Sequence, residues 1–151
     1  MSMFLRKTKH AFYLRLMKFF AGLGPGASHR AFVGNGSSAE LCKHILRTGA
    51  RKILIVTDKP LRELGVVDTA IAPLLESGID IAFYDGVLPD PTYEQVAAGV
   101  VAARQQGSQA ILAIGGGSSI DAAKIIAASA TSDESPKDWV GFGKVKHEVL
   151  K

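Results

Sequence analysis

Three consecutive glycines followed by two serines, at positions 115–119, are the residues of this sequence best suited to bind a ligand. Glycines lack a Cβ atom, so a phosphate can approach the backbone closely. A helix that starts there also offers free N–H groups and the positive end of its dipole. The pattern predicts a phosphate-binding strand–turn–helix junction over residues 115–124. Its candidate cofactor-binding residues are Gly115, Gly116, Gly117, Ser118 and Asp121.

Asp121 and Lys124 of this junction each have two interpretations. Ser118 and Asp121 have the spacing of a helix-capping pair, so Asp121 either caps the helix or contacts the cofactor and positions the turn. Lys124, one turn further on, is either a solvated helix residue or faces a cleft between domains.

Two further acidic residues follow other predicted strands. Asp58 ends an apolar strand, where a carboxylate can accept hydrogen bonds from an adenosine ribose and repel a 2′-phosphate. This placement favours NAD over NADP, although an Asp before Lys59 and Pro60 is also typical of a turn. Asp90 stands between two prolines in a rigid turn, where it is a candidate cofactor contact or part of an Asx-turn.

The elements that position these residues alternate regularly along the chain. The apolar run at 53–56 indicates a strand buried on both faces, as in a parallel sheet. Ser37 or Ser38 can cap the first helix, and Gly49 can end it. Predicted strands occupy residues 31–33, 53–56, 79–84 and 110–114, and predicted helices occupy about 37–48, 68–76, 92–106 and 118–130.

This alternation predicts an α/β fold with a Rossmann-like parallel sheet and helices on both faces. Ligands in such sheets bind beyond the carboxyl ends of the strands. We therefore expect four polar turns to converge at one edge, namely residues 34–36, 57–60, 85–92 and 115–119.

Charge is distributed unevenly along the 151 residues. Residues 1–39 carry six basic and no acidic residues, so the remaining 12 Lys and Arg face all 14 Asp and Glu, a net charge of −2. A mildly acidic body argues against a nucleic-acid partner. The single cysteine, Cys42, excludes an internal disulfide and favours a reducing compartment, so we expect a cytoplasmic protein with Cys42 as a small core residue on a helix.

We predict three regions: a basic amphipathic arm at 1–29, a dinucleotide-binding α/β domain at 30–131 and an incomplete tail at 132–151, with a short helix starting at 138–140. The apolar residues of 1–22 follow helical spacing among basic ones. This segment is a helix packed on the body or on a partner, a basic helix in contact with a membrane surface, or a targeting peptide. It is too short and too charged to span a bilayer.

The four histidines, His10, His29, His44 and His147, are scattered, and none has metal-ligand spacing. We also find no nucleophile beside a base. We therefore predict no metal site and no catalytic residue in this chain.

Four blocks in order resemble the iron-containing alcohol dehydrogenase family. They are residues 32–37, 56–59, 84–92 and 113–124. The last block matches the family pattern Gly-Gly-Gly-Ser-x-x-Asp-x-Ala-Lys at every fixed position. The resemblance covers about residues 31–130, and the combination is highly specific.

The resemblance implies an N-terminal NAD-binding domain of a metal-dependent alcohol dehydrogenase that acts on a small alcohol or aldehyde. It implies that Asp58, Gly116, Gly117 and Ser118 contact the cofactor and that Asp58 favours NAD. The family usually has Asn where Asp90 stands.

The family continues with a Thr-rich strand and an all-helical domain, which supplies one Asp and three His for Fe²⁺ or Zn²⁺. None of these is present, so the chain resembles the cofactor half of an enzyme: a truncated product, half of a split gene or an engineered piece. We expect it to be inactive alone and the complete protein to be a homo-oligomer. The alternatives are a non-catalytic dinucleotide-binding or interaction module and a relative of glycerol dehydrogenase or dehydroquinate synthase.

Overall fold

The computed structural model describes residues 30–133, 135, 149 and 150. The chain divides into two compact units, Met1–Ala31 and Phe32–Lys151, and every element below belongs to the second. Several predicted features lie outside the described residues: the helix at 1–22, the short helix at 138–140, and His10, His29 and His147.

Three strands and six helices follow one another in the described residues. In chain order they are α1 (Ser37–Arg47), β1 (Lys52–Val56), α2 (Lys59–Glu63), α3 (Val66–Ala70), α4 (Ala72–Glu76), β2 (Asp80–Tyr84), α5 (Tyr93–Gln106), β3 (Ala110–Ala113) and α6 (Gly117–Ala130). No described helix is both long enough and apolar enough to cross a membrane.

The strands form a parallel sheet in the order β2-β1-β3, as the alternating pattern predicts. Val56 at the end of β1 pairs with Tyr84 of β2 on one side and with Ala113 of β3 on the other. Because the three strands end in this common register, the turns that follow them start side by side.

The central strand β1 separates two apolar clusters. Ile53 and Ile55 pack in one cluster with residues of α1, α3 and α4. Leu54 and Val56 pack in the other with residues of α5 and α6. All four side chains are fully buried, which confirms the predicted strand with both faces covered.

Helix α5 begins and ends where the sequence indicates. Thr92 is its N-cap and forms a capping box with Gln95, so each side chain satisfies a backbone N–H of the other residue. Gly107 ends the helix in the left-handed conformation, with φ 69°. The predicted inward residues Val96, Val100 and Ala103 are buried.

The predicted strand at 31–33 and the predicted serine cap of α1 are both wrong. Residues 31–33 form no regular element, and Val33 is 93% exposed, so it has neither the pairing nor the burial that a strand needs. Helix α1 starts at Ser37 itself, with Gly36 as N-cap at φ 79° and no side-chain cap. Gly49 follows the helix at φ 81°, in the predicted stop position.

The segment between β1 and β2 is more broken than the single predicted helix at 68–76. It forms three helices of five residues each. Gly65 separates the first two with a positive φ of 71°. Pro73 in the first turn of α4 prevents α3 from continuing, because its ring would clash with the carbonyl group four residues earlier.

Cys42 is a buried core residue of α1, as predicted. Its thiol donates a hydrogen bond to the carbonyl oxygen of Ala70 at 3.5 Å. Burial raises the pKa of this thiol above its ordinary value, so the group stays protonated and unreactive at neutral pH.

Candidate functional site

Backbone hydrogen bonds hold the carboxyl ends of the three strands together. The Thr57 N–H donates to the carbonyl oxygen of Tyr84 at 2.9 Å, and the Ile114 N–H donates to that of Val56 at 2.9 Å. An antiparallel bridge then joins Asp58 to Gly86. The turns after β1, β2 and β3 therefore form one continuous rim.

The chain leaves β1 and β3 toward opposite faces of the sheet. The helices after β1 join the apolar cluster of Ile53, whereas α6 after β3 joins that of Leu54. Such a divergence between neighbouring parallel strands opens a crevice at their carboxyl ends, the usual ligand position in this fold. A cleft of about 320 Å³ lies there, lined by Asp58, Pro60, Val87, Leu88, Pro89, Gly116, Ser118 and Ser119.

Asp58 forms one side of this cleft and the N-cap of α2. Its Oδ1 accepts a hydrogen bond from the Leu61 N–H at 2.9 Å. Its Oδ2 lies 3.4 Å from the point that a Cβ atom on Gly115 would occupy. The turn interpretation of Asp58 is thus confirmed, and the second carboxylate oxygen faces the glycine turn.

The opposite side of the cleft is the start of α6. Gly116 is the N-cap, no side chain caps the helix, and its first turn contains no acidic residue. Helix α5 differs, because it has both a capping box and Glu94 in its first turn. The first N–H groups of α6 therefore have no side-chain cap and no acidic residue of their own turn beside them, and they can bind an anion.

Gly115 makes the close approach of the turn and helix α6 possible. Its φ of 150° is a backbone angle that residues with side chains rarely adopt. A Cβ atom there would lie 2.5 Å from Oγ of Ser119, which is itself buried. The sequence does not indicate this role of Ser119, because the role depends on packing and not on the spacing of residues.

The capping prediction for Ser118 and Asp121 is wrong. Ser118 lines the cleft instead. Asp121 lies beyond the first turn, and its carboxylate pairs with the Lys124 ammonium group at 3.0 Å, both side chains being 70% exposed. The cleft thus brings together Asp58, Gly116 and Ser118 of the candidate residues, and Asp121 is not part of its lining.

The turn after β2 supplies an apolar wall. Val87, Leu88 and Pro89 all line the cleft, and Asp90 does not. Asp90 has a positive φ of 53°, a conformation that Asn and Asp adopt more readily than other side chains. The backbone angle and the position outside the cleft lining therefore favour Asp90 as a turn residue. The predicted fourth turn, at residues 34–36, contributes no residue to the cleft.

Within the described ranges, no three His, Cys, Asp or Glu residues lie close enough together to hold a metal ion. His44, the one histidine described, packs with its ring centroid 5.9 Å from that of Phe32. These residues therefore do not provide the ligand set that the sequence resemblance associates with Fe²⁺ or Zn²⁺.

The chain is similar to proteins of one family. The sequence model of the family "Iron-containing alcohol dehydrogenase" matches residues 28–150. The NAD-dependent methanol dehydrogenase of Bacillus methanolicus is 35% identical over 118 residues, which cover 78% of this chain and 31% of that enzyme. The lactaldehyde reductase of Escherichia coli (strain K12) is 40% identical over 96 residues, or 64% of this chain and 25% of the reductase.

The fold has a solved counterpart. A crystal structure of a 1,3-propanediol oxidoreductase superposes with a TM-score of 0.74 at 32% identity and covers 79% of this chain. The match covers only 31% of the oxidoreductase. The match thus spans about a quarter to a third of the length of these three proteins.

Proposed function

This chain belongs to the iron-containing alcohol dehydrogenase family, and we propose that it provides the NAD-binding site of an alcohol dehydrogenase. The observation that carries the proposal is the cleft between Asp58 and the uncapped start of α6. Gly116, Ser118 and Asp58 line the same crevice, at the position where α/β sheets bind dinucleotides.

The start of α6 is suited to the pyrophosphate. Gly116 and Gly117 have no atom within 4 Å of the positions that a Cβ would take, so the space in front of them is open. A diphosphate there can accept hydrogen bonds from the free N–H groups of the first turn. Ser118 can donate a further bond from its hydroxyl group.

Asp58 is suited to the adenosine ribose. Oδ1 is held by the Leu61 N–H, so Oδ2 is left to accept hydrogen bonds from ribose hydroxyl groups. A 2′-phosphate at the same place would meet a carboxylate, and like charges in contact disfavour binding. The site should therefore prefer NAD(H) to NADP(H).

The size of the cleft fits part of a dinucleotide. Its volume of about 320 Å³ is at the lower end of the range for small-molecule sites, so we expect the cleft to hold the pyrophosphate and the adjoining ribose and to leave other parts of the cofactor exposed. When bound, the nicotinamide ring would supply hydride transfer to or from a small alcohol or aldehyde, the substrate class that we propose for the longer protein. We assign no step to a metal ion.

We further propose that this chain alone binds the dinucleotide weakly and does not turn over an alcohol. Its described residues provide neither metal ligands nor an acid–base pair in the cleft. We place the protein in the cytoplasm and expect the longer protein to be a homo-oligomer, two proposals that localisation microscopy and light scattering would test.

The direct test is titration of the purified 151-residue chain with NADH, followed by calorimetry and by the fluorescence of the reduced nicotinamide. We expect saturable binding, weaker binding of NADPH, and no oxidation of methanol or 1,3-propanediol with added Fe²⁺ or Zn²⁺. Absence of NADH binding at millimolar concentration would contradict the proposed site. Turnover by the isolated chain would contradict its inactivity.

A further inference from the structure

We propose that Tyr84 is a positioning residue for the dinucleotide site and that it holds the turn at 85–92 in the place that forms the cleft wall. The inference rests on the proposed function, since it concerns the same cleft. The phenol does not line the cleft itself. Tyr84 acts through the turn that follows it.

The hydroxyl group of Tyr84 bridges the end of β2 and the start of α5. It donates a hydrogen bond to the carbonyl oxygen of Gln95 at 2.5 Å. The Gln95 side chain in turn accepts from the Thr92 N–H at 3.2 Å, so the bonded residue belongs to the capped first turn of α5. The phenol is thereby attached to the capped first turn of α5.

The backbone of Tyr84 is fixed as well. Its carbonyl oxygen accepts the Thr57 N–H of the central strand at 2.9 Å. One residue therefore ties the first end of the turn to the sheet and, through its side chain, the second end to the helix. The turn between these two attachments has little freedom to move outward.

Two glycines make room for the ring. A Cβ atom on Gly86 would lie 2.9 Å from the phenol oxygen. One on Gly99 would lie 3.1 Å from the ring carbon Cδ1, and closer still, at 2.3 Å, to Cδ1 of Ile126. All of these distances are shorter than ordinary van der Waals contact. The ring therefore lies directly against the backbone of the turn on one side and of α5 on the other.

The position of this turn decides the shape of the cleft. Val87 is buried beneath the turn, and Leu88 and Pro89 complete the apolar wall. Gly86 also bridges the backbone of Asp58. A shift of the turn would consequently move both the wall and the carboxylate relative to the glycines of α6.

The phenol remains a hydrogen-bond donor at neutral pH. Burial, together with the nearby Asp85 carboxylate, raises the pKa of Tyr84 above its ordinary value. The hydroxyl proton that bonds Gln95 is therefore kept throughout the physiological range.

The test compares Tyr84→Phe with Ser77→Ala in the 151-residue chain. Phe keeps the ring against both glycines and removes only the hydroxyl group. Ser77 is a matched control, because its hydroxyl also donates to a backbone carbonyl, that of Leu74 at 2.6 Å, but it precedes β2 at the opposite edge of the sheet. We expect Tyr84→Phe to weaken NADH binding about three- to tenfold and Ser77→Ala to leave it unchanged.

A second measurement does not depend on the ligand. Amide hydrogen exchange at residues 85–88 should become faster in Tyr84→Phe and not in Ser77→Ala, which a general loss of stability would not produce. Gly86→Ala serves as the second variant, because its methyl group should displace the phenol and reproduce both effects.

The possible results separate this inference from the proposed function. Suppose that the wild-type chain binds NADH, and that Tyr84→Phe and Gly86→Ala have the same NADH affinity and the same amide exchange rates as wild type. This result would overturn the role of Tyr84 and leave the proposed function intact. Failure of the wild-type chain to bind NADH would overturn the proposed function, and the exchange rates would then still support or reject the attachment of the turn by Tyr84.

Discussion

Oγ of Ser119 lies 2.5 Å from the point at which a side chain on Gly115 would begin. The first helical turn of α6 thus fills the space beside Gly115, and this residue can lie against the helix start only because it carries no Cβ atom. Gly115 also has a φ of 150°. Steric contact and backbone angle therefore impose the same requirement at one position.

We expect Gly115→Ala to destabilise the fold by about 1–3 kcal/mol, because it adds a strained backbone angle to a clash with Ser119. Gly117→Ala is the matched stability control. It places the same methyl group in open space within the helix, where alanine is favoured by about 0.5–1 kcal/mol. Urea denaturation measures the free energy of unfolding of each variant. Equal stability of the two variants would contradict the packing of Gly115 against Ser119.

Gly116→Ala should separate binding from folding. Its φ of −81° is acceptable to any residue and its surroundings are open, so the free energy of unfolding should fall only by the weaker N-cap preference of alanine, about 0.5–1 kcal/mol. The methyl group would project from a residue that lines the cleft. We expect NADH affinity to fall at least about tenfold, ~1.4 kcal/mol, by calorimetry. Wild-type affinity would show that phosphate does not bind at this turn.

Asp58→Ser should change the choice between cofactors. Serine is as good an N-cap as aspartate, so α2 keeps its cap while the carboxylate is lost. We expect the affinity ratio of NADPH to NADH to rise about tenfold, because the repulsion of the 2′-phosphate is removed. Paired titrations with the two cofactors measure the ratio.

A matched control for this variant is Asp68→Ser. Asp68 is an acidic residue in the first turn of α3, where it pairs with Arg62 and does not line the cleft. In Asp68→Ser, the affinity ratio of NADPH to NADH should stay at the wild-type value. If the ratio also stays constant in Asp58→Ser, Asp58 is a capping residue only.

The buried Cys42 thiol should make the free energy of unfolding fall as the pH rises into the alkaline range. Burial raises its folded-state pKa above the ordinary value of 9.0. The unfolded chain therefore loses the proton first as the pH rises. The stability contribution is complete below pH 9.0 and is lost as the pH rises through the raised folded value.

Melting temperatures of wild type and Cys42→Ala, measured from about pH 7 to 11, test this dependence. The difference in melting temperature between the two proteins should shrink above pH 9.0. Tyr84 also titrates in the alkaline range, but it is present in both proteins and cancels in the comparison. A constant difference would indicate that the thiol is accessible in the folded chain.

The sequence predicts those elements whose causes are local. Thr92 and Gly107 mark the ends of α5 because capping and left-handed turns depend on neighbouring residues. The apolar run of β1 is sufficient to predict burial on both faces. Asp58 and the glycines at 115–117 are recognisable because each follows a strand, and parallel strands end at one edge.

The errors concern features that depend on distant partners. The apolar residues 31–33 have strand-forming side chains but no paired strand among the described residues. Asp121 has capping spacing from Ser118, but α6 starts at Gly117, which places Asp121 beyond the reach of the first N–H groups. The contacts of Tyr84 with Gly86 and Gly99 have no signature in the spacing of residues, because they arise only when the turn and α5 fold over β2.

The uncapped start of α6 has a consequence for how this site can diversify. Its ligand groups are main-chain N–H groups, which every residue type except proline possesses, so substitutions that keep the backbone path leave them in place. These N–H groups would bind a pyrophosphate of either dinucleotide alike, so they offer selection little with which to distinguish NAD from NADP. The changes that alter preference should accumulate instead at Asp58 and along Val87, Leu88 and Pro89, where side chains form the surface.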